Sequence, residues 1–433
     1  MAVPTALPMA APTPEPEHFS ALIALDNFES GGVGPVAGSS ALRRVLGIEP
    51  DVFATDYWSR QALLSTAETL PADFSDLLDE QAVDDLVARR GLRTPFLRVA
   101  KGGSTLGHRA FTAPGGVGAT IDDQVSDDKL VRLFADGSTM VLQALHRVWP
   151  PIIDFCLQLS AELGHPVQAN AYITPPQNQG FSNHYDVHDV FVLQLAGEKE
   201  WTIHAPVHPL PLRDQPWTDR RAAVERQARD TPLIQTVLRP GDCLYLPRGF
   251  LHAACARGGV STHLTLGIHS WTRQTLADQL LRQALRATAD DPEMRASLPM
   301  GLSFADPSGW GADLELVKKH LFGALKEITP DALRPDLLAS ARTSQRAAPI
   351  GPLAQLRSAS NLDTDSSVRR REHLLATLDP SGRVVHSRAG DFVVAADELA
   401  AVQRFLAHGR AEVADLGLLL ARRMITSGLA VVE

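Results

Sequence analysis

The sequence predicts an α+β chain: an antiparallel β-sandwich or barrel with helices before and after it. Three observations carry this expectation. Short apolar runs crowd between Val167 and Thr272, as "VQANAYITP", "DVFVLQLAG", "EWTIHAP", "LIQTVLRPGDCLYLPRG", "LHAACA" and "STHLTLGIHSW". Gly- and Pro-rich turns separate them, the pattern of many short strands packed face to face or closed into a barrel. Beyond Arg273 the apolar spacing becomes helical, in "RQTLADQLLRQALRATADDPEMRASL" and "ADLELVKKHLFGALKEI".

Taken in order, the opening "MAVPTALPMAAPTPEPEHF" is rich in Ala and Pro and has no basic segment before an apolar one. It reads as a disordered tail and lead-in over 1–40, not as a secretory signal, which favours a protein kept inside the cell. "SSALRRVLGIEPDVFATDYWSRQALLS" predicts short helices with Ser40 as a cap. "RTPFLRVAKGG" begins the strands, and "STMVLQALHRVWPPIIDFCLQLSAELG" is a helical interruption ended by Gly164. The strand-rich domain runs over 41–272 and a helical region over 273–339. A Ser/Thr/Arg-rich linker follows over 340–371, then a helix-and-strand module of winged-helix type over 372–433. From Asp363 to Glu433 acidic and basic residues nearly balance, whereas a DNA-binding module carries a positive surplus.

With 433 residues, 44 % hydrophobic and 21 % charged, the chain is long enough for two or three domains with a large core. Its net charge of −9 speaks against a general nucleic-acid surface. Three cysteines, Cys156, Cys243 and Cys255, have no CxxC spacing and fit free thiols. No run approaches the roughly eighteen apolar residues of a membrane-spanning helix.

The chemistry gathers in "NHYDVHDVFVLQLAGEKEW". Imidazoles and carboxylates beside a core strand are costly unless something pairs with them, and a metal ion does so. On a strand, His184 and Asp186 project to one face. "RPGDCLYLPRGFLHAA" offers His252 as a third ligand, reached through a tight turn at Pro240-Gly241-Asp242 and a bend at Gly249. Two imidazoles and one carboxylate form the facial set of non-haem Fe(II) oxygenases, with open positions for co-substrate and oxygen. His188 and Asp189 are rival ligands, His188 being read as a wall or supporting residue. His146, His204 and His208 read as surface or structural, while His263 and His269 lie on a late strand that borders the pocket. If the co-substrate is a keto-diacid, its distal carboxylate needs a buried cation. Lys199, in the "AGEKEW" hairpin, is the candidate, unless it is an ordinary solvated turn lysine.

The ordered string "QANAYITPPQNQGFSNHYDVHDVFVLQLAGEKEW" resembles the JmjC-type cupin oxygenases called ribosomal oxygenases, which hydroxylate ribosomal proteins. "RTPFLRVAKGG", "PGDCLYLPRGFLHAA" and "STHLTLGIH" match in the same order, so the resemblance spans about Val52 to Trp271. Farther on, the helical region and terminal module agree in layout only. The resemblance implies a double-stranded β-helix (cupin, jelly-roll) core, a helical dimerisation region that makes a homodimer, and a winged-helix-like end. It implies catalytic iron ligands at His184, Asp186 and His252, with Lys199 holding the distal carboxylate of 2-oxoglutarate. Asn170 falls on the family's pocket asparagine, and Tyr172 shares its face. Ser261 and Thr265 fall on its "S-x-H-x-T" strand as candidate hydrogen-bond partners of the co-substrate.

The implied activity is Fe(II)- and 2-oxoglutarate-dependent hydroxylation of a histidine or arginine side chain of a ribosomal protein. The implied setting is cytoplasmic, without membrane or direct nucleic-acid binding. Two other readings stay open: an oxygenase acting on a small molecule or a non-ribosomal peptide, and a non-catalytic metal-binding cupin scaffold.

Overall fold

β-Branched and aromatic residues alternating with polar ones give the first part of the chain its strands. The computed structural model describes residues 40–118, 120–178 and 181–433. The tail expected over 1–40 lies, apart from Ser40, outside the described residues. Ser40 does cap: its Oγ accepts from the amide of Arg43 at the head of the helix Ala41–Val45.

The strands are β1 (Leu63–Ser65), β2 (Leu97–Lys101), β3 (Ser104–Thr105), β4 (Thr112–Ala113), β5 (Gln124–Val125) and β6 (Thr139–Leu142), followed by β7 (Val167–Thr174), β8 (Asp189–His204), β9 (Ile234–Leu238), β10 (Cys243–Leu246) and β11 (Leu251–Ile268). All but β4 and β5 form one antiparallel sheet of order β1-β10-β8-β11-β7-β6-β2-β3, with β9 on the other part of β8. The sheet curls because β8 and β11 are long and change partners midway. The first half of β8 lies between β10 and the end of β11; its second half lies between β9 and the beginning of β11. The break sits at Gly197, whose φ of +61° suits glycine, and where a Cβ would meet the carbonyl oxygen of Val260 at 2.1 Å.

The outer face of the sheet is covered by the helix Pro150–Leu163 and by the N-terminal segment. Ile152, Phe155 and Leu159 pack with Val167, Ala169, Ala171, Phe191, Leu264 and Leu266 in the main core. Full burial of a side chain of this size contributes about 1.5–3 kcal/mol. The inner face has a second apolar cluster of Val190, Val192, Trp201, Ile203, Leu244 and Leu246.

Three expectations need correction. The segment expected to be a helix from Ser138 to Gly164 begins as the strand β6 and a single 3-10 turn, Leu145–Arg147. Ala144 at φ 56° breaks the chain there, and the helix starts only at Pro150, ending as predicted at Gly164 with φ 69°. "AGEKEW" is not a hairpin, because β8 runs through it. The expected linker 340–371 is structured. The helix Pro330–Ser344 enters it, and the helix Pro352–Ser360 and the strand Ser367–Arg370 follow. Ala347, Ala359, Leu362 and Val368 are buried with Val402, Phe405, Met424 and Ile425 in the C-terminal core, so its polar composition masks widely spaced apolar anchors.

The helices Arg273–Thr288 and Gly311–Glu327 bury little of their apolar surface: Leu276, Leu281, Leu285 and Phe322 are exposed. Among the described residues no helix is long and apolar enough to cross a membrane.

Candidate active site

Two turns at the open end of the inner face bring the predicted ligands together. His184 and His252 exchange backbone hydrogen bonds as an isolated antiparallel bridge, at 3.2 and 2.8 Å, with ring centroids 4.4 Å apart. The amide of Gly249 donates to the Asp186 carbonyl at 3.0 Å, tying the turn before His252 to the segment ahead of β8, where the two ligands expected on a strand lie, His184 in an isolated bridge and Asp186 in none. Gly249, at φ +91°, also lies under the 208–211 loop, where a Cβ would meet the His208 carbonyl at 2.7 Å.

One ligand atom each from His184, Asp186 and His252 lies within 4.8 Å of the others, and His252 Nε2 is 3.7 Å from Asp186 Oδ2. His184 Nδ1 faces the Ser182 carbonyl at 2.8 Å, and His252 Nδ1 faces that of Phe250 at 3.1 Å. Each Nδ1 therefore keeps its proton and each Nε2 a free lone pair, the tautomer that a metal requires. Burial, with His184 adding to it, pushes the His252 imidazole down to about 4, so it is neutral at physiological pH. Burial opposes ionisation of Asp186, but His188, His252, His184 and Arg98 outweigh it and hold the carboxyl below its usual range. Two imidazoles that turn Nε2 toward one ready carboxylate make the donor set of a divalent metal, and the residues fit one.

Asp189, the rival ligand, is fully buried and otherwise engaged. Its Oδ2 accepts from Ser59 Oγ and from the Tyr245 hydroxyl, both at 2.9 Å, and its Oδ1 accepts from the Arg248 amide at 2.9 Å. The Arg248 guanidinium lies 3.5 Å away. This network clamps the turn carrying His252 to the start of β8. Asp189→Ala leaves the largely buried Arg248 guanidinium without a carboxylate, keeping only its bond to Ser59 Oγ, and we expect chemical denaturation to show a loss of about 3–5 kcal/mol. A loss under 1 kcal/mol would exclude the clamp.

Lys199 is buried inside the sheet rather than solvated in a turn. Before the break in β8 the inward residues are Val190, Val192 and Gln194; beyond it they are Lys199, Trp201 and Ile203. Register slips at Leu195 and around Gly258-Gly259 change the parity, and without them Lys199 would point with Leu193 into the outer core. Gln194 braces the slip, its Nε2 donating to Ser261 Oγ at 2.9 Å and to the Ala196 carbonyl at 2.8 Å. Lys199 Nζ donates to Thr174 Oγ1 at 3.1 Å and to His263 Nδ1 at 3.3 Å. No carboxylate faces it among the described residues, and burial brings it down to about 7. Burial, followed by Lys199 and His252, keeps His263 well below the usual imidazole range, so it accepts from the ammonium.

The remaining predicted residues divide. Tyr172 stacks on His263 at 4.8 Å, facing the pocket. Asn170 shares that face, but its Oδ1 accepts from the amide of Ala144 at 3.0 Å, so only its amide hydrogens remain for a ligand. Ser261 is fully buried and engaged with Gln194, while Thr265 pairs in register with Asn170 and Val192 on the inner face. His188 lies outside the ligand triplet, 5.3 Å from His269. His146 and His204 are structural, the first accepting from the Ala169 amide at 3.0 Å and the second buried at the end of β8.

Sequence reasoning missed Arg98, Phe181 and Trp217. Phe181 and Trp217 sit 6.1 and 6.4 Å from the His184 ring, and the Arg98 guanidinium covers Phe181. The one signal was a lone arginine alternating with Leu97 and Val99 in β2.

Residues 151–276 match the family model described as the JmjC domain. The chain is 38 % identical over 175 residues to ribosomal oxygenase 1 of Rattus norvegicus, covering 39 % of this chain and 28 % of that protein. It is 26 % identical over 256 residues to the bifunctional lysine-specific demethylase and histidyl-hydroxylase NO66 of Aedes aegypti, covering 58 % and 38 %. The chain thus spans well under half the length of these relatives. In fold it matches the Escherichia coli ribosomal oxygenase YcfD, with a TM-score of 0.53 and 15 % identity over 89 % of this chain and 98 % of that one. The same enzyme solved with cobalt and 2-oxoglutarate matches at a TM-score of 0.51 with 14 % identity. Residues 151–276 thus match the JmjC domain model, and the chain is similar in sequence and in fold to ribosomal oxygenases.

Proposed function

We propose that the protein is an Fe(II)- and 2-oxoglutarate-dependent hydroxylase of a ribosomal protein side chain, histidine or arginine. The observation that carries this reading is the pairing of two features on one inner face of the sheet: a two-imidazole, one-carboxylate cluster and a buried lysine with no anion opposite it among the described residues. A scaffold that merely holds a metal has no use for the second feature, which costs stability until an anionic ligand arrives.

In this reading His184, Asp186 and His252 hold the iron through two Nε2 atoms and one carboxylate oxygen. Bound iron with 2-oxoglutarate and oxygen supplies the oxidising power to hydroxylate an unactivated C–H bond. The protein's own contribution is placement. Lys199, steadied by Thr174 and His263, takes the distal carboxylate of the co-substrate. Val190, Val192, Leu244 and Leu246 exclude water. Asn170 Nδ2 and Thr265 line the same face. The names of the similar proteins support a ribosomal protein as the partner, and the net negative charge of the chain suits a basic one.

The exposed apolar side chains of the 273–344 helices support a homodimer through that region. The C-terminal module is read as a winged-helix-like protein-packing unit without direct nucleic-acid contact, and the setting as cytoplasmic. Titrating 2-oxoglutarate into the anaerobic Fe(II)-loaded protein should give a saturable visible charge-transfer band. Bound iron without such a band would overturn the oxygenase in favour of a metal-holding scaffold.

A further inference from the structure

We propose that Arg98 selects the target side chain, admitting a neutral group with a hydrogen-bond acceptor, such as an unprotonated imidazole, and rejecting a cationic one. The proposal rests on the hydroxylase reading above and narrows it: an arginine or a methylated lysine is disfavoured at this centre.

Arg98 lies in one cross-strand row with Val141 and Tyr172, on the inner face of the sheet. Its guanidinium carbon is 5.2 Å from the centroid of Phe181, which in turn lies 6.1 Å from both the Tyr172 ring and the His184 ring. The guanidinium is beside the Tyr172 hydroxyl and within electrostatic reach of Asp186. One ring thus separates this cation from a metal ligand.

Two cations therefore face the pocket from opposite sides of the stacked Tyr172–His263 pair. Lys199, behind the stack, has the co-substrate carboxylate to meet. Arg98, in front of it, bonds the Tyr172 hydroxyl but is left without a counterion: among the described residues no carboxylate forms an ion pair with it, and its Nε is buried without a hydrogen-bond partner. Asp186 is committed to the metal, and Asp189 to Ser59, Tyr245 and Arg248. A neutral acceptor entering beside the partly exposed Arg98 guanidinium gains a charge-assisted hydrogen bond. A guanidinium or trimethylammonium in the same place meets a like charge at low dielectric with no free carboxylate to offset it.

The test uses the full chain loaded with Mn(II) and three probes, the N-acetyl methylamides of histidine, arginine and trimethyllysine. They are titrated by calorimetry at about pH 8, where free imidazole is neutral. The wild-type protein should bind the histidine probe about ten-fold or more tighter than either cation. Arg98→Gln should shrink that gap to about three-fold or less, while Arg98→Lys, which keeps the charge, should preserve most of it. A gap that survives in Arg98→Gln, one that collapses in Arg98→Lys, or a wild-type preference for arginine overturns the proposal. So does a weakening of 2-oxoglutarate binding in Arg98→Gln in place of a changed probe order, which would assign Arg98 to the co-substrate. Failure of 2-oxoglutarate to bind the wild-type protein is a separate titration and sinks the hydroxylase reading, whereas the order of the probes alone decides Arg98.

Discussion

Asp186→Ala is expected to lower 2-oxoglutarate turnover by at least ~10³-fold, a loss of about 4 kcal/mol of transition-state stabilisation. The cluster offers one carboxylate, and Asp189 cannot replace it because both of its oxygens are engaged. Two neutral imidazoles alone bind a divalent ion weakly and leave its charge uncompensated. Turnover assayed as succinate formation at saturating Fe(II), with metal content measured in parallel, separates lost metal from lost chemistry. The fold should survive, since removing a partly buried carboxylate beside three imidazoles and Arg98 unpairs no buried salt bridge. Activity within about ten-fold of wild type would show that the metal is held elsewhere.

Lys199→Met is expected to weaken 2-oxoglutarate binding by about 2–5 kcal/mol, roughly 30- to 5,000-fold in Kd. Unliganded Lys199→Met should melt no lower than wild type, because the buried ammonium is a cost that the apolar methionine removes. The wild-type protein also carries a pH signature. Lys199 in the free protein titrates at about 7, and a carboxylate beside it raises that value in the complex. The ligand binds the ammonium form, so its affinity is flat below about pH 7. Above it the Kd rises up to about ten-fold per pH unit, until the higher pKa of the complex is passed. The same titration on Lys199→Met should be flat with pH. A pH-independent wild-type Kd, or a variant that binds as tightly, would remove Lys199 from the co-substrate pocket.

Much of the site was legible in the sequence because its parts are local. His184 and Asp186 are two residues apart on one extended segment, and the Pro-Gly-Asp turn ahead of His252 announces a strand that must return beside them. The strands of the sheet were legible for the same reason, since alternating burial is written in successive residues. Where local patterns competed, reading failed. "STMVLQALH" runs apolar at both periods, and the left-handed Ala144, whose backbone amide donates a hydrogen bond to Asn170 Oδ1, decided for strand and turn.

What the sequence by itself determined is therefore the antiparallel core, a covering helix that ends at Gly164 and the identity of three candidate ligands. What only the tertiary structure decided is which way the side chains face. Lys199 looks like a turn lysine until register slips on two paired strands invert its parity and bury it. Arg98 looks like the polar half of an edge strand until β6 and β7 place it in a row with Tyr172. Both depend on pairing between segments far apart in the chain. A one-residue shift in register there exchanges the inner and outer faces, and no stretch of local sequence records it.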